Sequence, residues 1–181
     1  MMQFTDVMID IETLGSNPRA PIIQIGACGF NLNSGEVGAP FSVLVKPDFS
    51  YTRPDEATLA FWLKQDDAAR LHVAKCVEEG LRAEEAIGRM GIYYSDIGVP
   101  SNVWAMPPSF DIVILEHTAS HFGLRMPWRY DATRDLRTLE RLCGASRDDR
   151  MQATVKHDAG ADAAAQASTT IKYFRRLMGK L

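Results

Sequence analysis

Asp10 and Glu12 stand two apart at the end of an apolar run, Asp6-Val7-Met8-Ile9-Asp10-Ile11-Glu12. Val7, Ile9 and Ile11 alternate with Met8, Asp10 and Glu12, which is the period of a strand. Side chains two apart in a strand point the same way, so two carboxylates share one face. Like charges that close repel and call for a counter-charge. Hard carboxylate oxygens suit Mg²⁺ or Mn²⁺. Taken alone, D-x-E also fits a half-exposed strand with a polar face.

Two further acids and one histidine fall where they can join this pair. Asp111, in Phe110-Asp111, opens a helix after a short strand at 102–105. Asp162 opens the last helix. A helix N-terminus stabilises an acid by itself, so a structural cap is the alternative for both. His157 precedes Asp162 by five residues, in His157-Asp158-Ala159-Gly160-Ala161-Asp162. On one continuous helix a spacing of five puts them on different faces. With His157 on a loop they can face one cavity, and Gly160 helps the chain bend. Histidine titrates near neutral pH and can move a proton there.

These residues need a scaffold. Residues 21–30 and 41–46 read as second and third strands, with turn chemistry at 31–36, giving an antiparallel meander after the first strand. Pro54-Asp55-Glu56 starts a helix that runs to about Gln65, and a short one follows Asp66-Asp67. Residues 81–96 carry apolar positions at helical spacing. Ser109 is the expected cap of a helix containing Ile112, Val113 and Leu115, with Gly123 as its stop. A short strand is expected at 130–133, a helix at 135–142, and a last helix from about 161 to 178. Strands first, then strands and helices mixed, point to an α/β or α+β fold with a mixed sheet.

The 181 residues suit one domain, spanning 1–181, and a 46% hydrophobic content supports a real core. The net charge of −3 excludes a globally basic protein, so a polyanionic substrate must be drawn by cations and a local patch. Cys28, Cys76 and Cys143 are odd in number and widely spaced, and read as reduced thiols. There is no basic, apolar leader at the start and no apolar run of about 18 residues. A cytoplasmic protein without membrane contact is the expectation.

In order and spacing, D-x-E, F-D and H-x-x-x-x-D resemble the DEDD-type 3′–5′ exonucleases of the ribonuclease H-like superfamily, histidine subclass (DEDDh). The likeness covers nearly the whole chain. It is closest to ribonuclease T-like exoribonucleases and phage exodeoxyribonucleases, through Asp-Ile-Glu-Thr-Leu-Gly at 10–15, Trp-Leu-Lys-Gln at 62–65 and Arg-Asp-Leu-Arg-Thr-Leu at 134–139. The resemblance implies a ribonuclease H-like α/β fold, with a central mixed sheet flanked by helices. It implies Asp10, Glu12, Asp111 and Asp162 as ligands of two divalent metal ions, Mg²⁺ or Mn²⁺, and His157 as general base. The implied reaction is hydrolysis of single-stranded DNA or RNA from the 3′ end to nucleoside 5′-monophosphates, with DNA placed ahead of RNA by the phage-type likeness. Thr13, Leu14 and Gly15 match the segment that holds the terminal nucleotide. The chain departs from the pattern before F-D, where Ala105-Met106-Pro107-Pro108-Ser109 lacks the Asn or similar polar group of many relatives. A non-catalytic nucleic-acid-binding module of the same fold is the rival reading, and degenerate members usually lose metal ligands.

Phe110 is a candidate stacking surface for a base, as is Trp62, although aromatics in helices are more often core. Arg134 and Arg137 suit phosphate or pairing within their own helix. His117 and His121 are spaced i, i+4 but lack the H-E-x-x-H order of a zinc protease. His72 reads as a surface residue. Lys172, Arg175, Arg176 and Lys180 give a basic C-terminal helix, which with the family likeness suggests a homodimer; favourable charge at a helix C-terminus is the simpler reading.

Overall fold

The computed structural model describes residues 3–155 and 157–179; Lys180, counted above in the basic C-terminal helix, lies outside them. Five strands form one mixed sheet: β1 (Asp6–Thr13), β2 (Ile22–Phe30), β3 (Phe41–Leu44), β4 (Asn102–Ala105) and β5 (Thr133–Asp135). Their order is β3-β2-β1-β4-β5. β1 pairs antiparallel with β2, and β2 with β3, as the short turns between them require. β1–β4 and β4–β5 are parallel, and helices make those crossovers.

Alternation on β1 divides the core. Val7, Ile9 and Ile11 pack with α3 (Ala83–Asp96) and α4 (Asp111–His121) through Ile87, Met90, Ile112 and Leu115. Met8 points the other way, into a cluster with Trp104 of β4 and with Leu136, Ala163, Ala167 and Tyr173 from α5 (Leu136–Leu142) and α6 (Ala159–Leu177). Asp10 and Glu12 follow Met8 in register and so face α6. β2, covered on both faces, is buried throughout. Two smaller helices, α1 (Glu56–Leu63) and α2 (Asp67–Glu79), add a third cluster of Leu14, Ile23, Trp62, Ala69 and Cys76 beside the end of β1.

α6 approaches the sheet more closely than side chains normally permit, and Gly26 makes this possible. Gly26 lies opposite Asp10 in the β1–β2 ladder. A Cβ there would lie 2.0 Å from the Ala159 carbonyl oxygen and 2.1 Å from its carbon. The first turn of α6 therefore rests directly on β2, one helical turn before Asp162.

Several elements differ from the sequence expectations. The strand expected at 130–133 lies at Thr133–Asp135: a turn closed by Ala132 N–H to the Arg129 carbonyl occupies the earlier residues and leaves Tyr130 exposed. Ser109 does not cap α4. A tight turn, with Phe110 N–H bonded to the Pro107 carbonyl, makes Phe110 the cap residue without a side-chain bond. α3 starts at Ala83, because Leu81 bridges to Val45 in extended form. α2 is 13 residues long rather than short. α6 begins two residues early, since Asp158 Oδ1 accepts from Ala161 N–H and caps it there. His72 is half-buried and bonded to Gln24, not a free surface residue. The basic residues of α6 are engaged internally: Lys172 donates to the Asp149 carbonyl, Arg175 to that of Ser34, and Arg176 pairs with Asp149. Among the described residues, no helix is long and apolar enough to cross a membrane.

Candidate active site

Asp10 and Glu12 from β1 meet Asp162 from the first turn of α6. One carboxylate oxygen from each lies within 4.8 Å of the others, and among the described residues this is the only such group of three potential metal ligands. The close seat of α6 on Gly26 is what brings Asp162 to the strand.

Asp111 arrives from the other side. β4 pairs with β1 only at Asp6, Val7 and Met8, so the backbone of β1 beyond that point faces no strand on this edge. Asp111 fills the gap: its Oδ1 accepts from Ile11 N–H at 3.1 Å. It is almost fully buried, and its charge acts on both Asp10 and Glu12. Asp111 thus borders the cluster while one of its oxygens is committed to the backbone.

All four acids hold their protons more tightly than usual. Burial, then the charges of Asp111, Glu12 and Asp162, push Asp10 well above the ordinary carboxylate range, with the Gln166 hydrogen bond opposing. Glu12 rises to about 8, by burial first and then by the charges of Asp162 and Asp111. Burial lifts Asp111 to about 7 against its bond from Ile11. Asp162 is raised by burial, with the charge of His157 pulling the other way. Carboxyls buried this close to one another are costly as anions and favourable as ligands of cations. The donor set is all oxygen, which fits Mg²⁺ or Mn²⁺.

His157 stands just before the Asp158 cap of α6, outside the helix. Its backbone is left-handed, φ 58°, in a non-glycine residue. Its ring packs edge-on against Trp62 and Phe61, with ring centroids 5.5 Å apart in each case, and its nitrogens are not part of the clustered ligand set.

The other sequence candidates are placed unequally. Thr13 and Leu14 are buried, Thr13 Oγ1 donates to the Gly15 carbonyl at 2.6 Å, and the Thr13 carbonyl accepts from the Trp62 indole at 2.8 Å. Leu14 bonds through its backbone to Pro21 and Asp55. These residues wall the end of β1. Trp62 is 4% exposed and belongs to that wall rather than offering a free face. Phe110, half-buried, packs on the α3–α4 core cluster. Arg134 donates to the Asp131 and Thr133 carbonyls, away from the acids. His121 stacks flat on Tyr51 at 3.8 Å, far along α4 from Asp111.

Two glutamines escaped the sequence reading. Gln166 Nε2 donates to Asp10 Oδ1 at 2.6 Å, while its buried Oε1 has no partner among the described residues. Its spacing of four from Asp162 was the available signal. Gln24 is the lone polar side chain in a strand buried on both faces, a position that demands hydrogen-bond partners.

A family model described as the 3′–5′ exoribonuclease Rv2179c-like domain matches residues 5–174. No curated protein matches the chain. Similar solved structures include product-bound exonuclease I, at TM-score 0.66 and 16% identity over 98% of this chain and 44% of that one. E. coli exonuclease I in complex with a dA16 oligonucleotide gives TM-score 0.70 and 17% identity over 98% of this chain and 42% of that one. Exonuclease X in complex with 5′ overhanging duplex DNA gives TM-score 0.62 and 20% identity, over 94% of this chain and 91% of that one. The chain thus spans less than half the length of these exonuclease I chains. At such identities the likeness is one of fold, and that fold is the ribonuclease H-like one.

Proposed function

The chain belongs to the family of the Rv2179c-like 3′–5′ exoribonuclease domain, and from that premise we propose that it is a metal-dependent 3′–5′ exonuclease of the DEDD type. It acts as one exonuclease domain on single-stranded nucleic acid and releases nucleoside 5′-monophosphates. The observation that carries this reading is the meeting of Asp10, Glu12 and Asp162 within 4.8 Å, at the end of β1.

In this reading Asp10, Glu12, Asp111 and Asp162 would hold two divalent cations, Mg²⁺ or Mn²⁺. When bound, such a pair supplies charge stabilisation for the attacking and leaving oxygens of a phosphodiester. Gln166 fixes one oxygen of Asp10 and so orients the other. His157, through an unprotonated ring nitrogen, takes a proton from the attacking water. Water adds at phosphorus, the bond to the 3′ oxygen of the preceding nucleotide breaks, and that oxygen is protonated on release. For this role the His157 ring, edge-on to Trp62 and Phe61, has to present a nitrogen to the attacking water beside the acids. Thr13, Leu14 and Gly15 form the floor under the terminal nucleotide, and Phe110 borders its base.

RNA is the first substrate in this reading, on the strength of the family description. DNA, which the phage-type likeness puts first, is the second, because similar exonuclease I structures include complexes with dT13 and dA16 oligonucleotides. The test is digestion of matched single-stranded RNA and DNA, each labelled at the 5′ end. A ladder shortening from the 3′ end with Mg²⁺ or Mn²⁺, and abolished by chelator, is expected. Binding without any ladder in either metal would leave the non-catalytic binding module as the function.

A further inference from the structure

Gln24 is 1% exposed, and its amide uses every hydrogen-bonding position it has. Nε2 donates to Ser42 Oγ and to Asp158 Oδ2, each at 2.8 Å. Oε1 accepts from Ala159 N–H at 3.1 Å and lies 2.9 Å from His72 Nε2. A backbone N–H can only donate and a carboxylate here accepts, so chemistry fixes which way the amide faces. His72 must then carry its proton on Nε2. One buried side chain thus ties together β3, α2 and the start of α6.

The location makes this more than core packing. Gln24 stands opposite Glu12 in the β1–β2 ladder, on the same face of the sheet. Two of its four partners, the Asp158 carboxylate and the Ala159 N–H, are the residues that immediately follow His157. Asp158 spends its other oxygen capping α6. His157 itself is held in the left-handed region, a conformation that persists in a non-glycine residue when its surroundings over-determine it. Gln24 Nε2 is the one hydrogen-bond donor that reaches Asp158 Oδ2 among the described residues, and with the seat of Ala159 on Gly26 it pins the exit of the His157 turn on the sheet. An apolar side chain of equal length would fill the same space without that link.

We propose that Gln24 is a positioning residue that sets the placement of His157 for proton transfer. This rests on the reading of His157 as general base. Gln24 touches no reacting atom in it and acts through the 157–159 turn. A displacement of about 1 Å in a reacting group costs on the order of 10²-fold in rate.

The test is a double-mutant cycle with Gln24→Met and His157→Ala, measuring turnover, KM and Mn²⁺ affinity on a 5′-labelled oligonucleotide. Gln24→Met is expected to lower turnover about 10–100-fold, with KM and Mn²⁺ affinity kept within about 3-fold. In the His157→Ala background the same change is expected to have little further effect, because the group it positions is gone. An equal fall in both backgrounds, or wild-type turnover for Gln24→Met, overturns the proposal. If His157→Ala alone runs at the wild-type rate, the general-base reading falls, and this inference falls with it. Asp158→Ser supplies a second route should Gln24→Met fold poorly. Serine keeps an N-cap oxygen but is too short to reach Gln24, so it is expected to reproduce the loss of turnover and its dependence on His157. Wild-type turnover in folded Asp158→Ser contradicts the proposal.

Discussion

Gly26→Ala probes the contact that assembles the site. The added Cβ would lie 2.0 Å from the Ala159 carbonyl oxygen, 2.1 Å from its carbon and 2.5 Å from Gly160 N. All three are backbone atoms, so no side chain can rotate away. Relief requires the first turn of α6 and β2 to separate by at least about 1 Å, given ordinary contact distances. Overpacking of this kind costs about 1–3 kcal/mol, which in a chain of this size lowers Tm by roughly 2–12 °C. The larger effect is expected in function. Asp162 sits in the turn that must move, and working sites tolerate only about 0.5 Å of misplacement. Turnover should fall about 10²-fold, with weakened Mn²⁺ affinity, in a protein that still folds cooperatively. Circular dichroism melts, Mn²⁺ titration and single-turnover hydrolysis on the same preparation separate these effects. A folded Gly26→Ala protein with wild-type turnover and wild-type Mn²⁺ affinity would refute the claim that the seat of α6 on Gly26 sets Asp162.

Three further outcomes follow from the site. Glu12 and Asp111 are raised to about 8 and about 7, so the fold favours their protonated forms. That contribution is complete below the ordinary carboxylate range and is lost as pH climbs through these values. Chelator-treated protein should therefore lose Tm as pH rises from the ordinary carboxylate range to about 8, and saturating Mg²⁺ should restore it; a Tm that rises with pH over that range in chelator contradicts the electrostatics. His157→Ala should keep Mn²⁺ affinity and lose about 10²–10⁴-fold in turnover, whereas Asp10→Asn should lose both; calorimetric Mn²⁺ titration beside single-turnover assays distinguishes them. Gln166→Leu removes the donor that holds Asp10 Oδ1 and should weaken Mn²⁺ binding about 10–100-fold; unchanged binding would show that Asp10 needs no such support.

How much of this was legible in the residues varies with the physics. β1 declared itself, because a period of two with carboxylates at its end needs only the strand's own geometry. β4 was equally plain, as a short apolar strand stopped by Pro107 and Pro108. The reach of Asp111 to Ile11 N–H was not, since it depends on β4 ending where β1 continues. Nor did the sequence reveal the meeting of α6 with the strand, which turns on the absence of one Cβ at Gly26. His72 looked like surface because its partner, Gln24, is 48 residues away in the chain. The early start of α6 was hidden for a different reason: Asp162 stands out as the acid that opens the helix, whereas the cap is Asp158. The basic face of the last helix was read from charge alone, while its guanidinium and ammonium groups are largely spent on nearby carbonyls and Asp149.

The proposed chemistry depends most directly on whether the acids at the end of β1 hold a pair of cations. Anomalous diffraction from crystals soaked in Mn²⁺ answers this without recourse to activity. Two peaks about 3.5–4 Å apart, bounded by Asp10, Glu12, Asp111 and Asp162, are predicted. Peaks elsewhere, or none at these carboxylates at saturating Mn²⁺, would contradict it.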